Sequence, residues 1–580
     1  MTKRRRMTQE EVQIAIEEIE DDEINGIEIS DNENSVCSDG EEPIIENLSD
    51  IDDEQFYSSS SDGEKNVLHI ENETFLGKDG TEWKTTPYSS GRTRAHNIIR
   101  GKMHKVMLPI GKYIDSTSDA FSLFLDDTMI NIILNNTNLH AIQTHGEKWK
   151  VTDAVEIRAF IGLLLNAGIN KQGIISYNEF WNPLFGSAIF RACMSRDRFA
   201  AILRHIRFDD PSTRSARRAR DKFAAIREIW DHMNKNLLKH YIPGENLTID
   251  EQLVPFRGRV SFRQYIPSKP DKYGMKIFWI CDSTTSYPLQ GIPYIGKEGP
   301  RIGKCLGDKI VYELCQPFEG SNRNITFDNF FTSFNLLQNL MSKRLTCTGT
   351  LRKNKACIPK QFLPQKNRDA QSSIFGFRKN MTIVSYVPNK NSAVILLSTM
   401  HHNNIIDPSN KNKPEIILDY NRTKGGVDTL DQMAHAYTVK RKSKRWPLVQ
   451  FFNIIDVCGI AAMVVWLNLY PEWNKSKINL RRKLFLKNLV EDLVTPQIER
   501  RSKSRLAKTT ITTIDWILRN PSKSSQAQDV SETIAKIRRR CHMCPAKISR
   551  MSMQCCGECG ENICNEHSEQ AIVCKKCINK

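Results

Sequence analysis

The stretch "ENLTIDEQLVPFRGR", residues 245–259, reads as a strand closing in a turn. Apolar residues recur through Leu247, Ile249, Leu253 and Val254, and Arg257-Gly258-Arg259 ends the run. An aspartate, Asp250, stands in the middle of it. Downstream, "GMKIFWICDS" (274–283) and "YPLQGIPYIG" (287–296) read as two more strands. "GDKIVYELCQPF" (307–318) reads as a helix, "RNITFDNFF" (323–331) as a strand, "SFNLLQNLMSKR" (333–344) as a helix and "LTCTGTLR" (345–352) as a strand. Three strands, a helix, a strand, a helix and a strand make a mixed α/β order.

Acids punctuate that order. Asp250 lies in the first strand, Asp328 ends the fourth, and Asp428 opens a later helix in "RTKGGVDTLDQMAHAY" (422–437). A βββαβαβ core with acids at these places is the plan of an RNase H-like nucleotidyl-transferase. Strands one and four are neighbours in that plan, so their acids meet although far apart in sequence. Hard divalent cations take carboxylate oxygens and keep waters. Two such ions, roughly 3.5–4 Å apart, activate a nucleophile and stabilise the leaving oxygen in phosphodiester chemistry. The plainer reading of 422–437 is a charged first helical turn, where acids suit the helix dipole. Spacing alone does not choose among the acids, because Asp271, Asp282, Asp308, Asp407 and Asp419 fall in the same span.

The segments "LTIDEQLVPFRGR", "YIPSKPDKYGMKIFWICDS" (265–283), "RNITFDNFFTS" and "TKGGVDTLDQM…KRWP" resemble the piggyBac family of DNA transposases. The resemblance runs from about residue 95 to 475 and returns in the cysteine-rich tail. It implies a catalytic triad of Asp250, Asp328 and Asp428, with Asp431 as a further aspartate at a site for two Mg²⁺ or Mn²⁺ ions. It also implies excision at terminal inverted repeats through hairpinned ends, integration at TTAA, and a dimer or larger assembly on double-stranded DNA.

The chain has 580 residues and a formal net charge of +16. Its length suits roughly three or four domains. Residues 1–64 hold 21 acidic and 4 basic residues, which leaves 79 basic against 46 acidic in the rest. A surplus of that size points to a polyanion, with nucleic acid first. The acidic, serine-rich residues 1–95 are expected to be disordered, and "SVCSDGEE" and "SSSSDGEK" put serines before acids as phosphorylation candidates. Helical periodicity over 96–244 and again over 438–515 suggests a discontinuous helical dimerisation and DNA-binding domain, arginine-rich around 195–223. The catalytic core is assigned to 245–353 and 416–437, an insertion to 354–415, a linker to 516–537 and a zinc domain to 538–580.

Basic side chains near the core are the DNA-contact candidates: Arg257 and Arg259; Arg352, Lys353 and Lys355; and Lys440, Arg441, Lys442, Lys444 and Arg445. Trp446 can stack on a base or wedge a kinked strand, and it can also cap the apolar helix that follows. That helix, 451–470, has the length of a bilayer span, but Asn453, Asp456 and Asn468 interrupt it. A central Asp costs about 2.5–3.5 kcal/mol on insertion, so a helix buried in protein is expected, with no membrane partner. No apolar run follows the basic N-terminus as in a signal peptide, and basic clusters at 498–508 and 538–540 suit either nuclear localisation signals or phosphate contacts.

Eight of the 16 cysteines fall in the last 40 residues. Four pairs at two-residue spacing make eight ligands for two structural Zn²⁺ ions. The expected cross-brace joins Cys541, Cys544, Cys564 and His567 around one ion, and Cys556, Cys559, Cys574 and Cys577 around the other. Cys555 is an alternative to Cys556, and His542 is not expected to ligate. The position of the histidine fits neither RING nor PHD order. By resemblance the module binds the terminal repeats.

Overall fold

The structure is a computed structural model, which describes residues 73–88, 94–99, 103–109, 113–173, 175–267, 269–296, 306–519, 539–545, 547–548, 550–552 and 562–568. Its centre is one large mixed sheet. Strands β1 (Thr74–Leu76) and β2 (Glu82–Lys84) come first, and β3 (Lys105–Val106) pairs separately with β4 (Tyr241–Ile242). Then follow β5 (Asn246–Pro255), β6 (Arg263–Tyr265), β7 (Tyr273–Asp282), β8 (Pro288–Pro293), β9 (Asn324–Phe327) and β10 (Thr346–Thr350). The helices Leu306–Cys315 and Phe334–Ser342 fall between the last three. In space the order is β8-β7-β5-β9-β10, with β5, β9 and β10 parallel and β7 and β8 antiparallel to their neighbours. β5 and β9, the first and fourth strands read from the sequence, therefore lie side by side as expected, and β6 is an added short strand on β7.

β5 is the hub. It is buried nearly end to end, and its polar residues Asn246, Thr248, Glu251 and Gln252 are buried along with Leu247, Ile249, Leu253 and Val254. Its register with β9 pairs Ile249 with Phe327, so Asp250, in the middle of β5, comes beside Asp328, the first residue after β9.

The insertion does not stand apart from this sheet. Its patches "MTIVSY" and "VILLS" are β12 (Met381–Tyr386) and β13 (Val394–Ser398), preceded by β11 (Ser373–Arg378). β13 pairs antiparallel with β10, and β11 reaches β2. This corrects the expectation of disorder up to residue 95, because residues 74–84 form a hairpin at the sheet's far end. Trp83 is fully buried there and its indole N–H donates to the Cys357 carbonyl at 2.9 Å. Phe75 packs edge-on against Phe362. Most of the acidic N-terminal region lies outside the described residues.

Helices before and after the sheet pack on one another. Arg481–Ser502 crosses Ala154–Ile169 so closely that a Cβ on Gly162 would lie 2.7 Å from Val494 Cγ1. Side-chain caps set the starts of several helices: Ser116 with Asp119 as a capping box, then Asp126, Asp153 and Ser195. The long apolar helix Trp446–Leu469 is buried from Leu448 to Trp466, so its place inside the protein accounts for its composition.

Candidate active site and zinc cluster

The helix Gly426–Ala436 packs against the face of β5 that carries Thr248, Asp250 and Gln252. Gly426 permits this approach: a Cβ there would meet Thr248 Oγ1 at 2.7 Å and Ser283 Cα at 3.3 Å. Gly425 takes the N-cap position, and Asp428 follows in the first turn. Asp250, Asp328 and Asp428 are brought into one cluster. Burial, then the negative charges of Glu251, Asp328 and Asp428, push the Asp250 carboxyl well above the usual carboxylate range. The Asp428 carboxyl is also raised, by burial first; Lys269 works against the shift, and Asp431 and Glu251 add to it.

Neighbouring groups hold the acids in place. Asp328 Oδ1 accepts from the Phe330 amide at 3.0 Å, and Asp250 Oδ1 from the Glu251 amide at 2.8 Å. Asp431 Oδ1 accepts from Gln252 Nε2 at 3.0 Å. His435, one turn on, lies 3.3 Å from Asp431 Oδ1 and 3.6 Å from Asp271. Its imidazole is raised to about 9, chiefly by the hydrogen bond to Asp431. Lys269 Nζ stands 3.8 Å from Asp428 and touches the Glu251 carbonyl. Burial disfavours its charge, but the surrounding acids outweigh that and raise its pKa. Glu251 is buried, and its Oε2 has no hydrogen-bond partner among the described residues. Acids that repel one another in this way, with an unsatisfied carboxylate oxygen beside them, suit hard divalent cations. Asp250, Asp328, Asp428 and Asp431 are the groups that would hold them.

The other aspartates of the span have separate work. Asp282 is fully buried and accepts from the amides of Gly244, Thr284 and Thr285, which shapes a turn. Asp419 pairs with Arg422 and His401. Asp407 caps a short turn through Ser409, and Asp308 lies against Ser333. Lys269, Gln252, Glu251 and His435 were not anticipated as site residues. The signal that would have found Gln252 is its two-residue offset from Asp250, which places both on one strand face.

The basic candidates divide. Arg257, Arg259, Lys353, Lys442 and Lys444 are exposed, and Lys355 and Lys440 are half-buried. Arg352 donates to Asn329 Oδ1 at 3.0 Å, next to Asp328. Arg445 and Arg441 do not face phosphates here. Arg445 donates to the carbonyls of Leu203, Arg204 and Ile206, at the C-terminus of the Arg196–His205 helix. Arg441 is buried, donates to the Gln172 carbonyl, and lies over the Phe180 ring. Trp446 packs against Phe223 and Phe262 at 5.4 and 5.2 Å between ring centres, which is the capping role. In the arginine-rich segment, Arg198 pairs with Glu156, and Arg214 and Arg217 with the buried Asp209. Arg204, Arg218 and Arg220 stay exposed.

In the tail, Cys541, Cys544, Cys564 and His567 converge, with ligand atoms all within 4.8 Å of one another. Cys544 Sγ is 3.7 Å from Cys564 Sγ and 3.6 Å from His567 Nδ1, and Cys541 Sγ is 3.7 Å from that nitrogen. Sulfur and nitrogen ligands placed tetrahedrally around zinc lie roughly 3.5–3.8 Å apart, so the set fits that ion. Burial raises the Cys541 thiol, but hydrogen bonds from the Cys564 and Met543 backbone and from His567 outweigh it and bring it to about 6. His542 turns away and meets the Asn562 carbonyl. Cys555, Cys556, Cys559, Cys574 and Cys577 lie outside the described residues.

Three comparisons bear on this site. A family model described as transposase IS4 matches residues 116–463. The human PiggyBac transposable element-derived protein 3 is 27% identical over 363 residues, 58% of this chain and 59% of that protein. The human PiggyBac transposable element-derived protein 2 is 26% identical over 352 residues, 56% of this chain and 57% of that protein. The chain thus spans under two thirds of the length of these relatives. A solved piggyBac transposase synaptic complex with hairpin DNA has a chain 36% identical to this one, with a TM-score of 0.67, covering 80% of this chain and 97% of its own.

Proposed function

We propose, from the premise that the chain belongs to the piggyBac family of transposases, that it is a metal-dependent enzyme that cuts and rejoins DNA. It would excise an element at its terminal inverted repeats through hairpinned ends and integrate it at TTAA. The observation that carries the reading is the cluster of Asp250, Asp328 and Asp428, whose mutual repulsion calls for cations. Two Mg²⁺ or Mn²⁺ ions, when bound, supply Lewis-acid activation of a water or 3′-hydroxyl and charge stabilisation at the phosphate. Asp250 lies mid-strand on β5 beside Asp328 at the end of β9, while Asp428 closes the site from the helix. Lys269 and Arg352 border the acids and suit the backbone of the reacting strand. The exposed Arg257, Arg259, Lys353, Lys442 and Lys444, with the half-buried Lys355 and Lys440, extend a cationic surface for duplex DNA. We further propose assembly as a dimer or larger complex on DNA, nuclear localisation, and two zinc ions in the tail that shape an end-binding module.

A second reading has support from the names of the human relatives, which are element-derived proteins. Under it, the chain is a retired element that binds DNA or chromatin without cutting. A plasmid excision assay with a matched donor element separates the two, comparing wild type with Asp428→Asn. The expected result is a restored TTAA junction with wild type and none with the variant, while both bind the element's ends. Binding without excision by wild type would overturn the enzymatic reading.

A further inference from the structure

Gln252 lies on the same face of β5 as Asp250 and is almost wholly buried. Its amide is held at both ends. Trp279 Nε1 donates to Gln252 Oε1 at 3.0 Å, and Asn453 Nδ2 approaches the same oxygen at 3.3 Å. An indole N–H can only donate, so it fixes which end of the amide is the oxygen. The NH₂ end is thereby turned to Asp431 Oδ1, 3.0 Å away, and to Asn453 Oδ1 at 3.2 Å. The chain of contacts runs from β7 (Trp279) through β5 (Gln252) to Asp431, with the buried helix Trp446–Leu469 (Asn453) as its brace.

We propose that Gln252 is a positioning residue that fixes the Asp431 carboxylate for divalent-cation binding by holding Oδ1 in place. Asp428, one turn earlier on the same helix, keeps about half of its side chain at the surface and lies 3.8 Å from the flexible-stemmed Lys269. The two helix acids are thus held differently: Asp431 Oδ1 accepts from the buried neutral amide of Gln252 and lies 3.3 Å from His435 Nδ1, whereas Asp428 faces a lysine. Partners that orient a ligand in this way typically change metal affinity by about 10–100-fold when removed. The inference rests on the acid cluster being a cation site, as proposed above.

The test is Mn²⁺ titration calorimetry on the full chain with its zinc retained, together with metal-free melting curves. The variants are Gln252→Glu, which keeps the acceptor for Trp279, and Gln252→Met, which is neutral. Each is also made on an Asp431→Asn background, with Asp250→Asn as the control for the site itself. The expected result is Mn²⁺ affinity about 10–100-fold weaker in either Gln252 variant, with little further loss once Asp431 is already replaced. Folded Gln252 variants with wild-type Mn²⁺ affinity would overturn the proposal. So would a full additional loss on the Asp431→Asn background, since the residue would then not act through Asp431. If wild type shows no Mn²⁺ binding that Asp250→Asn removes, the cation-site reading itself fails, and that result is distinct from both.

Discussion

Asp456 is a carboxylate buried in the middle of the Trp446–Leu469 helix, 7% exposed. Its Oδ2 accepts from the Thr438 hydroxyl at 2.6 Å and its Oδ1 from the Val439 amide at 3.0 Å. Burial pushes its carboxyl from 3.8 to about 7, against the opposing pull of those two bonds, Arg482 and His435. A carboxyl raised on folding stabilises fully only below its unfolded value, and the contribution is lost as pH rises through the folded one. The shift of about three units corresponds to about 4 kcal/mol over the whole window. Roughly half of that, about 2 kcal/mol, is lost between pH 5.5 and 8. Asp456→Asn keeps the shape and an acceptor for Val439 but has no charge to bury. Melting wild type and variant side by side cancels the other titrating groups. For a unit of about 400 residues, 2 kcal/mol corresponds to roughly 2–3 °C. The variant should therefore gain about that much on wild type between pH 5.5 and 8. A difference in Tm that stays constant over this range would refute the reasoning, because Asp456 would then be ionised, or neutral, at both ends of it.

Three other outcomes follow from the site and its surroundings. Arg445→Ala leaves helix-terminal carbonyls without their donor and should destabilise by about 1–3 kcal/mol, lowering Tm while duplex affinity at fixed salt stays within about twofold. Replacing the exposed Arg257 and Arg259 together by alanine should do the reverse: unchanged Tm, weaker binding to any duplex, and a log K against log salt slope shallower by about one to two. Cys564→Ser should remove one zinc ion from the tail by metal analysis and make the tail sensitive to proteolysis, and chelation of wild type should do the same reversibly.

The sequence exposed the parts of this architecture that repeat a strong local pattern. The strand and helix series from 245 to 352 is legible because its apolar runs are long and bounded by turns, and strand order then brings Asp250 and Asp328 together. The hairpin at 74–84 was masked by averaging composition over the acidic segment around it. Its own signal was present: Phe75 and Trp83 flank an Asp79-Gly80 turn, and Gly80 has φ +81°. For Arg441 and Arg445 the sequence points to phosphate, because a basic run looks the same whether its guanidinium forks meet phosphates or backbone carbonyls. Only the neighbouring chain, 239–242 residues away for Arg445, distinguishes the two. A related reason hides Lys269 and the partner of Gln252: the two-residue offset puts Gln252 on the face of Asp250, but nothing local marks which element supplies the group it meets.

Two of the polar residues that argue against a membrane span, Asn453 and Asp456, share an explanation with Gln450, whereas Asn468 donates to the His104 carbonyl at 2.9 Å. Gln450, Asn453 and Asp456 are spaced three apart, so they fall within about a 120° arc of their helix. Gln450 meets Met275 Sδ on β7, Asn453 meets Gln252 on β5, and Asp456 holds the backbone just after the helix that carries Asp428 and Asp431. This stripe therefore meets the large sheet at two points and the segment after the acid-bearing helix at a third, while the other buried residues of the helix are apolar and pack in the surrounding core. A purely apolar helix would bury as well but would not fix rotation or register against the sheet, since apolar contacts are non-directional. Each hydrogen bond across the seam fails if the helix turns or slides by one residue. The same substitutions that make the segment unsuited to a bilayer thus lock the helical layer to the acid cluster, and Asn453 is the point where that lock reaches Asp431 through a single intervening side chain.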